Sequence, residues 1–307
     1  MECAAAGGAA GRLPNKEIKF IYPFNSSGST TVVYLRIMFE KIKQMEGWDY
    51  SIVLEQKEGA SGDIGWTAAA EADGDGYSFT FAPTSMMITA IGEDRPYTGD
   101  AFKYICNLTT SPGVIAVSAD SSYNTLNDFL EAAAANPGTV SIGVTSVSGG
   151  EGVAVLQLEQ ASGADLNMVP FNSGTEIIAA VSGGHCEALC LNTSDVLPYV
   201  EDGTLKVLAV GSSERCETFP DAPTYQECGY DVIQANSRAL AAPASTDEAI
   251  IQYLSDCFEA AHNSADVQEQ IANISLEHDF MPHEEAQAMF EEAYESYLEQ
   301  WNTNPWT

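Results

Sequence analysis

The stretch "YPFNSSGSTTVVYLRIMFEKI", Tyr22 to Ile42, decides the fold class. An apolar run from Ile18 to Tyr22 stops at Pro23 and passes Phe24 to Ser29 without a charge. It then enters a helix-like pattern over Thr31–Met45. A short apolar strand, a turn of Gly, Ser and Thr, and an amphipathic helix make half of a βαβ unit. The turn would set bare backbone amides and small hydroxyls at a helix N-terminus, where the helix dipole favours an anion.

The same alternation recurs downstream. Strand-length apolar runs lie at Tyr50–Glu55, Ser78–Ala82, Val114–Ser118, Thr139–Val144, Leu166–Pro170, Cys186–Leu191 and Leu205–Val210. Helical patterns fall at Ile64–Ala72, Leu126–Ala135, Gly152–Gln160 and Thr175–Val181. Strand and helix in alternation predict an α/β fold with mainly parallel sheets covered on both faces. The last third differs: Thr246–His262, Ala265–Asn273 and His283–Trp301 predict long amphipathic helices with acidic outer faces.

Composition narrows the function. The chain has 307 residues, with 12 Lys and Arg against 44 Asp and Glu, a formal net charge of -32. Such a field repels nucleic-acid phosphates and anionic lipid headgroups, so nucleic acid is not an expected partner. No apolar run is long enough for a membrane span. Residues 1–12 predict a flexible N-terminal tether. No charged and apolar leader precedes Cys3, and Cys3 followed by small residues is how a bacterial lipoprotein begins once its signal is removed. Either Cys3 is a lipid anchor, with Met1 and Glu2 added by expression, or it is a stray thiol of a cloning remnant.

The other cysteines are 106, 186, 190, 216, 228 and 257. Cys216 and Cys228 bracket a Pro-rich loop, which predicts a disulfide there. Cys186 and Cys190 stand four apart in a predicted strand, about 13 Å at roughly 3.3 Å per residue, too far to bridge. With His185 nearby but no second ligand pair, core packing suits them better than metal. His262, His278 and His283 fall in the helical last third, where surface or capping roles are expected. No metal site, cofactor or catalytic residue is predicted. G-x-S-x-G, G-x-x-x-x-G-K, G-x-G-x-x-G and H-E-x-x-H are all absent from the sequence. A binding protein therefore outranks an enzyme.

Four strand-to-helix turns are rich in Gly, Ser and Thr: "NSSGST" (Asn25–Thr30), "GASGD" (Gly59–Asp63), "TSVSGGEG" (Thr145–Gly152) and "FNSGTE" (Phe171–Glu176). Ligands of open α/β sheets bind beyond the carboxyl ends of the strands, so these turns predict the site. The candidate ligand-binding set is Phe24, Asn25, Ser26, Ser27, Gly28, Ser29, Thr30 and Thr31 in the first turn, and Ala60, Ser61 and Gly62 in the second. Thr84 and Ser85 follow the strand at Ser78–Ala82. Thr145, Ser146, Ser148, Gly149, Gly150, Phe171, Asn172, Ser173 and Asn192 belong to the later part of the chain, and Arg238 is the best placed cation. Arg36 and Arg95 are expected to be structural.

Six segments in order resemble the extracytoplasmic solute-binding proteins of tripartite tricarboxylate transporters: "IKFIYPFNSSGSTTVVYLRIM", "EGASGDIGWTAAAEADGDGYSFTFA", "NPGTVSIGVTSVSGGEGVAVLQLE", "MVPFNSGTEIIAAVSGGHCEAL", "LPYVEDGTLKVLAVGSSER" and "FPDAPTYQECGYDV". The resemblance runs from about Asn15 to Trp301. It implies a two-domain fold of the type II periplasmic binding protein kind, with a ligand cleft between the domains. Residues 13–111 with 234–307 would form domain 1, and residues 112–233 domain 2. It also implies a small carboxylate as ligand, membrane permease subunits as partners, action as a monomer and an extracytoplasmic location.

This sequence departs from the family's pattern in the opening turn and in "TSVSGGEG". Ser27 replaces a Gly, which makes any positive φ there less comfortable, and Thr31 replaces an acid. Glu151 stands where many relatives have small or polar residues, and either points to solvent or recognises a donor on the ligand. An amino acid or amide-bearing solute, with Thr31 and Glu151 meeting an amine, is the alternative ligand class, and an enzyme on the same scaffold ranks third.

Overall fold

The computed structural model describes residues 14–27, 29–92, 95, 97–171, 173–272, 279–303 and 305. Cys3, Gly28, Asn172, His278 and the tether therefore lie outside the described residues. The order of elements is β1 (Ile18–Tyr22), α1 (Thr30–Glu46), β2 (Ile52–Gln56), α2 (Asp63–Ala70), β3 (Ser78–Pro83), α3 (Thr84–Gly92) and β4 (Phe102–Ser118). There follow α4 (Leu126–Ala135), β5 (Val140–Val144), α5 (Gly150–Ser162), β6 (Leu166–Pro170), α6 (Gly174–Ser182), β7 (Ala188–Asn192), α7 (Thr193–Glu201) and β8 (Leu205–Val210). The chain closes with β9 (Ala235–Pro243), α8 (Glu248–His262), α9 (Ala265–Ile271) and α10 (His283–Thr303).

Two compact units emerge. One runs to Thr110 and resumes over Ser237–Leu298, and the other is Ser111–Asn236 with the residues from Glu299 on. The strands β4 and β9 each contain a boundary and carry the chain from one unit to the other, and a third boundary, between Leu298 and Glu299, falls inside α10.

In the first unit the strand order is β2-β1-β3-β9-β4. The first three are parallel, with Tyr22 opposite Gln56 and Ile21 opposite Thr80, while β9 is antiparallel and sets Arg238 opposite Pro83. The inward side chains of β1, Ile18, Phe20 and Tyr22, pack with Tyr34, Leu35, Met38 and Phe39 of α1 and with Ile251, Leu254 and Phe258 of α8. Helix α1 starts where Ser29 accepts a hydrogen bond from the Val32 amide, and it stops at Gly47, whose φ of 63° an L side chain tolerates poorly.

In the second unit β4 lies between β8 and β7, and β5 and β6 follow. Strands β5, β6 and β7 are parallel. Apolar residues of β4 and β7 feed both faces of this sheet. Ile115, Val117, Ala188 and Cys190 pack with Phe129, Leu130, Val155 and Leu158, while Val114, Ala116, Leu189 and Leu191 pack with Ile177, Ile178, Val181 and Val196. Burial on both faces explains why these strands are continuous apolar runs and not alternating ones.

Several sequence expectations are corrected. Strand β4 begins at Phe102 and not at Val114, and β9, α3 and α7 had no counterpart in the periodicity. Cys186 precedes β7, so it and Cys190 do not share a strand. Cys216 and Cys228 form no disulfide: Cys228 packs beside the cluster of Tyr225 and Val232, and Cys216 beside that of Phe219 and Ala222. His262 and His283 are buried and not at the surface. The His262 Nδ1 lies 2.7 Å from the Tyr34 hydroxyl, and His283 sits with Nδ1 2.6 Å from the Tyr104 carbonyl and Nε2 2.6 Å from Glu248. Polar rings are tolerated inside because both have partners.

Candidate functional site

Because β1, β2 and β3 are parallel, the turns that follow them lie at one edge of the first unit's sheet. The turn after β1 is held by its own side chains. Ser26 donates through its amide (3.1 Å) and its hydroxyl (2.6 Å) to Oε1 of Gln56, the last residue of β2. The Ser27 amide donates to Asn25 Oδ1 at 2.8 Å, and Asn25 Nδ2 donates to Glu58 at 3.4 Å. Ser29 caps α1 and shares a 3.0 Å bond with the Tyr22 hydroxyl. Thr31 is buried. Phe24 meets the rings of Tyr22, Trp66 and Phe81 edge-on. No strain falls on Ser27, since Ala60, at φ 46°, is the described non-glycine residue with positive φ.

Ala60–Gly62 form a single 3₁₀ turn flanked by Gly59 (φ 130°) and Gly62 (φ 104°), and lead into α2. There Arg95 pairs with Asp63 in the helix's first turn, which gives Arg95 the structural role expected of it. Gly65 of α2 comes so close to the opening turn that a Cβ would stand 2.7 Å from the Pro23 Cα. At the end of β3, Thr84 is buried and exchanges bonds with the Ser237 backbone, accepting from its amide at 3.0 Å. Ser85 beside it is exposed. Arg238, half-buried, donates to Thr109 Oγ1 at 3.4 Å. Thus Thr84, Ser85 and Arg238 are brought together by the β3–β9 pairing.

In the second unit the turns after β5, β6 and β7 share one edge for the same reason. Ser173 caps α6 by accepting from the Glu176 amide, and Phe171 packs partly buried against the cluster of Ile177 and Val181. Asn192 donates through its amide and its Nδ2 to Asp195 at 3.2 and 3.0 Å. After β5, Thr145 is exposed and Ser146 half-buried, with the Ser146 carbonyl accepting from the Gly149 amide at 3.4 Å. Ser148 is exposed, and Gly149 precedes α5, which begins at Gly150. Gly152 is required there, because a Cβ would stand 2.0 Å from the Val147 carbonyl oxygen.

Glu151 does not simply point to solvent: it is half-buried and its side chain folds back onto its own loop. Its Oε2 accepts from the Thr145 amide and from the Thr145 hydroxyl, each at 2.6 Å. Burial raises its pKa above the usual carboxylate value; the bonds from Thr145 oppose the rise, and nearby Asp195 adds to it. Gln56, Glu58 and Ser237 were also not anticipated. The polar end of "VLEQKEG" was the available signal for Gln56, since β2 gives up its apolar pattern at its carboxyl end. Among the described residues no cluster of His, Cys, Asp and Glu could hold a metal, and no helix is long and apolar enough to cross a membrane.

Residues 37–296 match the sequence model of the tripartite tricarboxylate transporter family receptors. The chain belongs to this family. Among its relatives are a UPF0065 protein from the gbd 5' region of Cupriavidus necator, 27% identical over 89% of this chain and 82% of that protein, and BugT of Bordetella pertussis, 28% identical over 87% and 83%. A TctC solute-binding protein from Polaromonas has the same fold, with a TM-score of 0.86 and 25% identity over 95% of this chain and 99% of its own. The likeness extends to two Rhodopseudomonas palustris proteins: MatC with bound malate (TM-score 0.69, 20% identity, 94% and 99% covered) and one with adipate (TM-score 0.70, 19%, 95% and 98%). These proteins share this chain's α/β fold.

Proposed function

We propose that this chain is an extracytoplasmic receptor that captures a small carboxylate and delivers it to the membrane permease of a tripartite tricarboxylate transporter. The observation that carries the reading is the placement of Gly-, Ser- and Thr-rich turns, in each unit, at the carboxyl ends of parallel strands and before helix N-termini. Backbone amides there supply fixed positive dipoles, which explains how so acidic a protein attracts an acid. The global field is screened over about 8 Å at physiological salt, while the amides act in contact. Malate and adipate, bound by two structural neighbours, indicate the size of ligand to try first.

In this reading residues 13–111 with 234–307 and residues 112–233 act as two domains, the turn residues and Arg238 are the ligand contacts, and a single copy suffices. Cys3 serves as the lipid anchor. The decisive experiment is native mass spectrometry of the purified protein for a co-purifying small molecule, followed by thermal shift with a panel of mono- and dicarboxylates. A carboxylate that raises Tm by mass action supports the reading. A panel in which neutral solutes raise Tm and no carboxylate does would overturn it.

A further inference from the structure

The turn after β5 has donors, and the chain already fills those of Thr145. Thr145 gives both its amide and its hydroxyl to one oxygen of Glu151, so the position an incoming carboxylate oxygen would take is held by a resident one. The turn after β1 has the same arrangement with a neutral partner: Ser26 gives its amide and hydroxyl to the amide oxygen of Gln56. The difference between the two is a charge.

Nothing in the second unit's own stock of cations offsets that charge. Between residues 111 and 236 the sequence has two basic residues, Lys206 and Arg215, against sixteen Asp and Glu. Lys206 donates to the Ser121 carbonyl and to Asn124, and Arg215 donates to Glu227. Beyond the Thr145 donors, the charged neighbour of Glu151 is an acid, Asp195, which adds to the rise of its pKa, and the buried Cys190 thiol donates to the Glu151 backbone carbonyl at 3.7 Å and not to its carboxylate. Bringing a second carboxylate to this turn sets like charges together in a partly desolvated place, which costs several kcal/mol in general.

We infer that Glu151 is a specificity-determining residue that turns the β5–α5 loop from an anion site into an acceptor site, so that the ligand presents an ammonium, amide or hydroxyl group here and its carboxylate elsewhere. The inference rests on the receptor reading above and narrows it from small carboxylates to carboxylates with a donor at the far end. It predicts a solute recognised by opposite chemistries at its two ends, which a symmetric dicarboxylate cannot satisfy.

The test uses two probes of one length, glutarate and 4-aminobutanoate, titrated calorimetrically into the full chain and into Glu151→Gln and Glu151→Ala. The wild-type protein should favour the amine-ended probe by at least about tenfold, and both substitutions should erase or invert that ratio. Circular dichroism and Tm of the free variants show whether each is folded, and Gln keeps an acceptor oxygen for Thr145 where Ala does not. A wild-type preference for glutarate overturns the inference, as does a ratio that neither substitution changes; in both cases the receptor reading stands. Binding of neither probe, nor of any carboxylate in the panel, removes the receptor reading and the inference together.

Discussion

Ser29 and Ser148 look alike in the sequence, each a serine in a Gly-containing turn before a helix, yet they have different work. Ser29 accepts from the Val32 amide and bonds to Tyr22, so Ser29→Ala should lower stability by about 1 kcal/mol in urea unfolding, the usual cost of a lost N-cap. Ser148 is exposed before α5, so Ser148→Ala should weaken ligand binding while leaving the urea midpoint unchanged; unchanged affinity would remove it from the site. Glu151 gives a pH signature. Burial raises its pKa in the folded protein, whereas the unfolded chain titrates at the ordinary value. Below both values the group is protonated in both states and contributes nothing. As pH rises through the interval the unfolded chain releases this proton while the folded protein, in which the carboxyl is partly desolvated, still holds it, and stability falls. The stability of the wild-type protein relative to Glu151→Gln should therefore decline from acid to neutral pH, and a difference independent of pH would contradict the burial. None of this was legible in "TSVSGGEG", where Glu151 could face solvent or ligand. A carboxylate that folds back six residues onto Thr145 is a tertiary fact that spacing does not encode.

At the scale of elements, the sequence announced what is apolar on one face or in an unbroken run. Strands β1, β6 and β8 stand where the apolar runs do, and α1 and α8 where the amphipathic patterns do. The misses have physical causes. Helix α3, "TSMMITAIG", is apolar nearly all round and so shows no period, and α7 carries Pro198 inside it. Strand β9, "ANSRALAAP", opens with polar residues that pair with Thr84 and Thr109, so its first half resembles a loop. The Gly-rich turns were legible as turns, but the reason for each glycine was not. Gly152 is needed because α5 starts against the Val147 carbonyl. Gly152→Ala should destabilise by about 1–3 kcal/mol, the usual range for overpacking. Gly152→Ala should also displace the loop that carries Ser148, so urea unfolding and ligand affinity should both suffer. A variant as stable as the parent would mean that the loop yields freely.

Across the whole molecule, charge is the dominant feature. With a net charge of -32, mutual repulsion works against the compact state and is reduced by salt. Raising the ionic strength from about 0.01 M to about 1 M shortens the Debye length from about 30 Å to about 3 Å. The melting temperature of the free protein should climb over that range. A flat response would show that its acidic side chains are already compensated by the few surface pairs, such as Lys16–Asp75 and Lys41–Asp266.

The crossings of the chain in β4 and β9 also order events in time. As the polypeptide emerges from the ribosome, everything the second unit needs for its core, from Ser111 to Asn236, arrives as one continuous stretch. The first unit has no such luck: β1 and α1 are made early, but α8, whose Ile251, Leu254 and Phe258 close their core, comes after the whole of the other unit. The earliest-made third of the chain must therefore wait, with Phe20, Phe39 and Phe79 uncovered, until nearly the last helices are complete. A nascent chain halted after Asn236 should thus yield a protease-resistant core from its later half and none from its beginning.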